Sequence, residues 1–430
     1  LEYQADLTGY YRKLRNLPGF ALLESSDKSL GSYDILSAYP YEKIILHKDA
    51  QDLANIFTKI QQKLPESETN LDLPFQGGAI GFFSYDLASQ LANIPIRPLS
   101  DLEQVPLVEM GLYDWAIIAD HRKKTLVLFS ANTRSETALI TKEIKQLLHS
   151  DDSKSRYSLE TPFTPYISKS DYQKAFYAIH ADLKAGRCYQ VNLTQPFHAE
   201  YKGDTWEIYE KLKKNNPTPY SAFLKTEVVD VLSFSPERFI TYNQGQIKTS
   251  PIKGTARRVD DFLEDEKIRI SLQQCEKNRA ENIMIVDLMR NDFGKIAKPG
   301  SVYTQQLCAL ESYRGLHHLV SHIEATCKNT VTPLEVLANC FPGGSITGAP
   351  KLEAMRVIAE QEAFARGIYC GSIGYFSSHG RFDCNIAIRT MTACNNNLYF
   401  SAGGGIVIDS NCEQEYSECF TKLNSVLRFI

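Results

Sequence analysis

Apolar residues recur along this chain in two periods, and the elements they predict alternate between helix and strand. Leu53, Ile56, Phe57, Ile60 and Leu64 follow helical spacing and predict a helix over residues 52–64. Residues 135–149 carry a second amphipathic helix, and 171–185 a third, capped by Ser170 or Asp171 and stopped at Gly186. Short apolar runs at 20–26 and 32–38 predict strands, and 115–119 with 125–130 predict a hairpin. Residues 75–86 are rich in glycine and aromatics but lack the glycine order of a nucleotide loop, so they read as tightly packed strands.

The second half repeats this alternation. Residues 189–195 alternate polar and apolar side chains, as a half-buried strand would. Residues 228–239 read as one apolar strand ending at Ser235-Pro236. A turn at Asn243-Gln244-Gly245 and a strand over 246–249 then bring Glu237 and Lys253 to neighbouring strands. Residues 261–288 read as one long helix, with Glu281 directly before its apolar stripe of Ile283, Met284, Val286 and Leu288. In the strand predicted over 313–323, His318 and His322 share one face and His317 lies on the other. Further strands are predicted at 369–376, 382–392, 398–401 and 406–408, with Gly403-Gly404-Gly405 in the last connection. Ser410 and Glu413 form a capping box for a final helix with the stripe Tyr416, Cys419, Phe420, Leu423 and Leu427. Polar residues with Pro162 and Pro165 mark a linker, which divides the chain into residues 1–150, a linker at 151–164 and a larger region at 165–430.

Composition narrows the class. The 430 residues are 43% hydrophobic and 23% charged, enough for a large core. Lys and Arg number 47 against 51 Asp and Glu, a net charge of -4 without a basic block, which argues against nucleic acid as a partner. No apolar run approaches the ~20 residues that span a bilayer. Ten scattered cysteines without a signal-like N-terminus predict reduced thiols in a cytoplasmic protein, and none sits at zinc-finger spacing.

Chemistry gathers at a few places. In Ser250-Pro251-Ile252-Lys253-Gly254-Thr255, Pro251 holds Ser250 extended and Gly254 lets a ligand approach the backbone. The loop over 341–351, with three glycines before a helix, suits an anion, as do the amides of Gly403 to Gly405. Glu281, Glu415 and Glu418 lie on two helices far apart in sequence, with no cysteine or histidine near them. If a fold gathers them, they suit a hard, oxygen-preferring cation such as Mg²⁺; otherwise they are ordinary helix charges.

Taken together, Ser235-Pro236-Glu237-Arg238-Phe239, 251–255, 280–292, 341–351 and 402–418 resemble the chorismate-utilising enzymes, in family order over residues 165–430. Residues 1–150 look like the family's variable N-terminal region. The resemblance implies an α+β fold: two large antiparallel sheets in a sandwich, helices outside and the site between them. Lys253 is similar to the aminodeoxychorismate synthase branch; anthranilate synthases resemble Pro-Ile-Ala-Gly-Thr at that place. Isochorismate synthases share a lysine at an equivalent place but use it as a base toward water. By resemblance, Lys253 and Glu237 are catalytic. Thr255, His318, Ser345, Tyr375, Arg389, Gly403 and Gly405 bind chorismate, while Glu281, Glu415 and Glu418 hold Mg²⁺. The resemblance further implies a glutamine amidotransferase subunit in a heterodimer, since the sequence has no Gly-x-Cys-x-Gly nucleophile turn. It also maps a tryptophan pocket onto Glu24, Ser25, Asn216, Pro217 and Tyr220. The rival readings are anthranilate or isochorismate synthase on the same scaffold, and a non-catalytic regulatory protein that binds tryptophan or chorismate.

Overall fold

The computed structural model describes residues 1–50, 52–65, 71–97, 102–151, 155–312 and 315–427. Two antiparallel sheets, of twelve and ten strands, stack face to face with helices on both outer faces. The stacking follows from which side chains are apolar on both faces. Ala21, Ile35, Ile118 and Leu224 of the larger sheet pack against Ile80, Phe82, Ile373 and Tyr375 of the smaller one and close the core between them. A second core buries the outer face of the larger sheet under helices that include Lys169–Lys184, Thr205–Asn215 and Cys412–Leu427. A third buries the outer face of the smaller sheet under Ile56–Lys63, Glu276–Ile296 and Pro333–Cys340. Both sheets draw strands from residues 1–150 and from residues 165–430: Ala21–Glu24 pairs with Tyr220–Lys225, and Gly78–Phe83 with Ser372–Ser377. The expected polar segment before residue 170 contributes two short strands, Tyr157–Leu159 and Thr164–Pro165, both against Gln190–Gly203. No helix among the described residues is long and apolar enough to cross a membrane.

Gly78–Phe83 is buried throughout, as the packed-strand reading expects. A Cβ at Gly81 would come within 2.0 Å of the Glu109 carbonyl oxygen, so its neighbour strand requires glycine there. The ten cysteines are free thiols.

Several expected elements are divided or extended. The single strand of 228–239 is two, Asp230–Ser235 in the larger sheet and Arg238–Asn243 in the smaller, so the chain changes sheets at Pro236-Glu237. The single strand of 382–392 divides the same way, into Phe382–Asn385 and Thr390–Cys394, with the crossing at 386–389. An apolar run records burial, and both sheets bury it, so the pattern does not mark the crossing. The expected helix of 261–288 breaks at Cys275, whose ψ of 103° is extended, and gives Phe262–Gln274 and Glu276–Ile296. The second helix runs through Gly294, and in its last turn Asp292 accepts from Lys295 at 2.9 Å and pairs with Lys351. Gly403 to Gly405 lie inside the strand Asn397–Ile406, not in a connection. That strand pairs with Gln190–Gly203 along its length, and a Cβ would meet the Leu193 backbone at Gly403, the Glu415 side chain at Gly404 and the Gln190 side chain at Gly405. The strand expected from residue 369 begins at Ser372, and the one expected over 313–323 is Leu316–Thr326; residues 313 and 314 lie outside the described residues. The caps also shift. Ser168, not Ser170 or Asp171, caps Lys169–Lys184 by accepting from the Asp171 N–H. Asn411 caps Cys412–Leu427 by accepting from the Glu413 and Gln414 N–H groups. Ser410 instead donates to Glu415 at 2.7 Å, and Glu413 pairs with Lys169 at 2.6 Å.

Candidate active site

The two sheet crossings lie side by side and hold the first cluster. Ser235 Oγ donates to the Ile386 carbonyl at 2.6 Å, and the Ile386 N–H donates to the Glu237 carbonyl at 3.0 Å. The Phe234 N–H donates to the Arg389 carbonyl at 3.0 Å. Glu237 therefore leaves one crossing and Arg389 the other. Arg389 has φ of 50°, a left-handed conformation that an arginine adopts only where its surroundings impose it.

Glu237 is 6% exposed, and burial pushes its carboxyl up to about 7. The Lys253 ammonium, the Ser345 hydroxyl and the Ile252 N–H favour the carboxylate and limit the rise. The register explains this meeting. Arg238–Asn243 pairs with Gln246–Thr249, Thr241 opposite Lys248; continued along the hairpin, that register sets Glu237 opposite Ile252, next to Lys253. Lys253 lies in the strand Ile252–Arg257, where the pairing with Leu316–Thr326 slips by one residue between Ile252 and Thr255. Gly254 makes this bulge with φ of 84°. A Cβ on Gly254 would stand 3.0 Å from Asn278 and 3.1 Å from Leu272, so glycine also lets both helices close over the strand.

Thr255 and His318 are register partners, and Thr255 Oγ1 lies 2.9 Å from His318 Nδ1. Burial lowers the His318 imidazole to about 4, and the Arg389 charge adds to the effect, so the ring is neutral near pH 7. Burial alone, with no hydrogen bond or countercharge contributing, lowers the pKa of the Arg389 guanidinium. A half-buried cation held in this way suits a carboxylate ligand. Tyr375 is buried between the sheets, edge-on to Phe75, and burial raises its phenol, which leaves it a neutral donor.

The glutamates form the second cluster. A Cβ on Gly404 would come within 2.8 Å of Glu415 Oε2 and 4.0 Å of Glu418 Oε1, so both carboxylates face the glycine strand. Burial raises Glu415 above the usual range and the Glu418 charge adds to it, while Ser410, Lys277 and Lys422 oppose the rise. Lys422 Nζ lies 2.7 Å from Glu418 and donates to the Gly403 carbonyl at 2.8 Å. The repelling pair of oxygen donors, countered by two lysines, fits a hard dication. Glu281 is half-buried one turn beyond Lys277 on Glu276–Ile296. The structure thus brings Glu415 and Glu418 together; no group of three metal-ligating side chains gathers among the described residues.

The residues set apart for tryptophan do converge in part. Glu24 is buried, accepting from Tyr209 at 2.6 Å and pairing with Lys213 at 3.1 Å. Ser25 Oγ donates to the Pro219 carbonyl at 3.1 Å, and the Asn216 Nδ2 is buried without a partner among the described residues. Pro217 is exposed, and the Arg238 guanidinium stands 5.0 Å over the Tyr220 ring.

Sequence reasoning passed over Gln190, which is fully buried with its side-chain amide unpartnered among the described residues, against Gly405. A signal was present: Gln190, Asn192 and Thr194 form the polar face of an alternating strand, and the structure buries that face.

A family described as chorismate binding enzyme matches residues 19–428. The chain is 40% identical to aminodeoxychorismate synthase component 1 of Escherichia coli (strain K12), over 97% of this chain and 95% of that protein. It is 34% identical to anthranilate synthase component 1 of Acetivibrio thermocellus, over 83% of this chain and 75% of that one. Among solved structures, anthranilate synthase component I from Streptococcus pneumoniae TIGR4 superposes with a TM-score of 0.82 at 30% identity, covering 92% of each chain. The menaquinone-specific isochorismate synthase MenF of Escherichia coli shares the fold with a TM-score of 0.77 at 16% identity, over 98% of this chain and 91% of that one.

Proposed function

The chain belongs to the chorismate binding enzyme family, and from that membership we propose that it aminates chorismate to 4-amino-4-deoxychorismate, the precursor of p-aminobenzoate in folate biosynthesis. The observation that carries this reading is the buried Glu237 facing Lys253, a proton donor and an amine at one point between the sheets. The relatives' designation as component 1 supports a second component, and we assign that role to a glutamine amidotransferase that supplies ammonia.

Chorismate is a dicarboxylate, and the residues divide the binding between them. Arg389, Tyr375 and the Gly403 and Gly405 amides take the enolpyruvyl carboxylate. Thr255, His318 and Ser345 border the ring. Glu415 and Glu418, with Glu281 from the helix Glu276–Ile296, would hold Mg²⁺. When bound, the ion neutralises the ring carboxylate and draws charge from the ring. Glu237, protonated near neutral pH, gives its proton to the hydroxyl on ring carbon 4, which departs as water. Lys253 first gives its ammonium proton to solvent and then, as the free amine, attacks ring carbon 2; the double bonds shift, and the bond from carbon 4 to oxygen breaks. The proton lost from the attacking amine returns to Glu237. Ammonia then attacks carbon 4, the double bonds shift back, and the Lys253 amine leaves with the proton that ammonia loses. The neutral His318 adds no positive charge beside Arg389.

Chorismate, Mg²⁺ and an ammonium salt, with the product identified by mass spectrometry and chromatography against standards, test the reading. We expect 4-amino-4-deoxychorismate. Anthranilate or isochorismate would replace the reading with that of a sister enzyme, and binding without turnover with that of a regulatory protein.

A further inference from the structure

Glu362 and Arg366 form an ion pair inside the protein, with side chains 2% and 1% exposed, just past the helix Lys351–Gln361. Arg366 grips the carboxylate with two nitrogens, Nε to Oε2 at 2.9 Å and Nη2 to Oε1 at 2.7 Å. Its remaining donors go to backbone carbonyls, Nη1 to Ile346 at 2.9 Å and Nη2 to Asn192 at 2.8 Å. Glu362 Oε1 accepts from the Thr194 N–H at 2.9 Å. The guanidinium lies 4.6 Å over the Tyr85 ring.

The place of these bonds is informative. One edge of the strand Gln190–Gly203 is paired at Gln190 and Val191 by Gly348–Ala349, and the Asn192 N–H reaches the Thr347 carbonyl at 2.8 Å. There the neighbouring strand ends. The next two ladder groups, the Asn192 carbonyl and the Thr194 N–H, are met by the side chains of Arg366 and Glu362, so the ion pair stands in for the missing strand. On the other edge, Asn192 pairs with Gly405 and Thr194 with Gly403. The third tie, to Ile346, falls between Ser345 and Thr347. A charge pair with this burial is a poor source of stability, because both ions lose their hydration. What it supplies is a fixed distance between the glycine strand and the loop that carries Ser345.

We infer that Glu362 and Arg366 are positioning residues that set the substrate-binding glycine strand against the Ser345 loop; this rests on the assignment of both to chorismate binding. Neither is in contact with a proposed reacting atom. The test uses the full chain with saturating ammonium and Mg²⁺, and compares wild type with Arg366→Lys, which keeps the charge but loses the fork, and Glu362→Gln, which keeps an acceptor for Thr194. An Ile144→Ala variant, in the core under the helix Ser135–Leu148, which packs on Thr8–Leu14 and Thr125–Ser130, serves as a control for lowered melting temperature. The expected result is a fall in kcat/KM for chorismate of about 10- to 100-fold, mostly in KM, in both pair variants and not in the control. Values within about twofold of wild type, a fall no greater than the control's, or failure of both variants to fold would overturn the inference, the last because the pair would then be holding the fold rather than setting the site. A wild-type protein that neither binds nor converts chorismate would instead overturn the functional reading beneath it.

Discussion

At the scale of single residues, burial decides protonation. Glu237 and His318 sit within the same site, and both are shifted toward their neutral forms, the acid up to about 7 and the imidazole down to about 4. If Glu237 is the acid, kcat/KM should fall with a midpoint near pH 7 as the pH rises, and Glu237→Gln should cost about 10²–10⁴-fold in kcat. The same shift has a stability sign. Below the ordinary carboxyl pKa both folded and unfolded chains are protonated at this position. As pH rises toward 7 the unfolded chain releases the proton freely and the folded chain does not, so stability is lost across that window. Thermal melts of Glu237→Gln against wild type should show the variant gaining relative stability from pH 5 to pH 8; a constant difference would mean that Glu237 ionises normally. For Lys253 the measurement is mass spectrometry of enzyme quenched during turnover. We expect an adduct on the peptide that contains Lys253 and no turnover by Lys253→Ala. No adduct, together with an Ala variant that makes the amino product at wild-type rate, would exclude the amine as nucleophile.

At the scale of elements, the site is made where regular structure is interrupted: two sheet crossings, a bulge at Gly254 and a strand stripped of side chains at Gly403 to Gly405. Helical stripes such as that of Ile56–Lys63 were legible because an amphipathic period survives any packing partner. The crossings were not, because residues 228–239 and 382–392 stay apolar as they pass from one buried sheet into the other. The capping box expected at Ser410 also failed at this scale, since Asn411 competes for the same N–H groups and leaves Ser410 to orient Glu415. That orientation predicts metal behaviour. EDTA should abolish turnover, and Glu418→Gln or Glu281→Gln should do the same in folded protein. Gly404→Ala brings a methyl group to 2.8 Å from Glu415 Oε2 and should raise the Mg²⁺ concentration needed for half-maximal rate by about 10- to 100-fold. An unchanged Mg²⁺ dependence in that variant would separate the glutamate pair from the metal.

At the scale of the whole molecule, strands of residues 1–150 and of residues 165–430 complete each other's sheets, and the candidate site gathers at the crossings from one sheet to the other. The missing nucleophile turn gives a prediction at this scale. With glutamine as the only nitrogen source the chain should make no amino product, and adding a glutamine amidotransferase partner should restore it; glutamine-dependent product from the chain alone would refute the two-component reading. By itself the sequence determined the residue types of the candidate site, the order of the motifs and most helices, because side-chain chemistry and local period are properties of neighbouring residues, and the resemblance carried by those motifs implied the α+β class. Only the tertiary structure decided that Glu237 faces Lys253, that Arg389 leaves the adjacent crossing, and that Glu415 and Glu418 meet across Gly404. Likewise it alone joined Arg366 to Ile346 and Asn192. These contacts join residues 11 to 174 positions apart or depend on which sheet a strand enters, and both are set by packing free energy summed over the whole core, which no local pattern of apolar residues records.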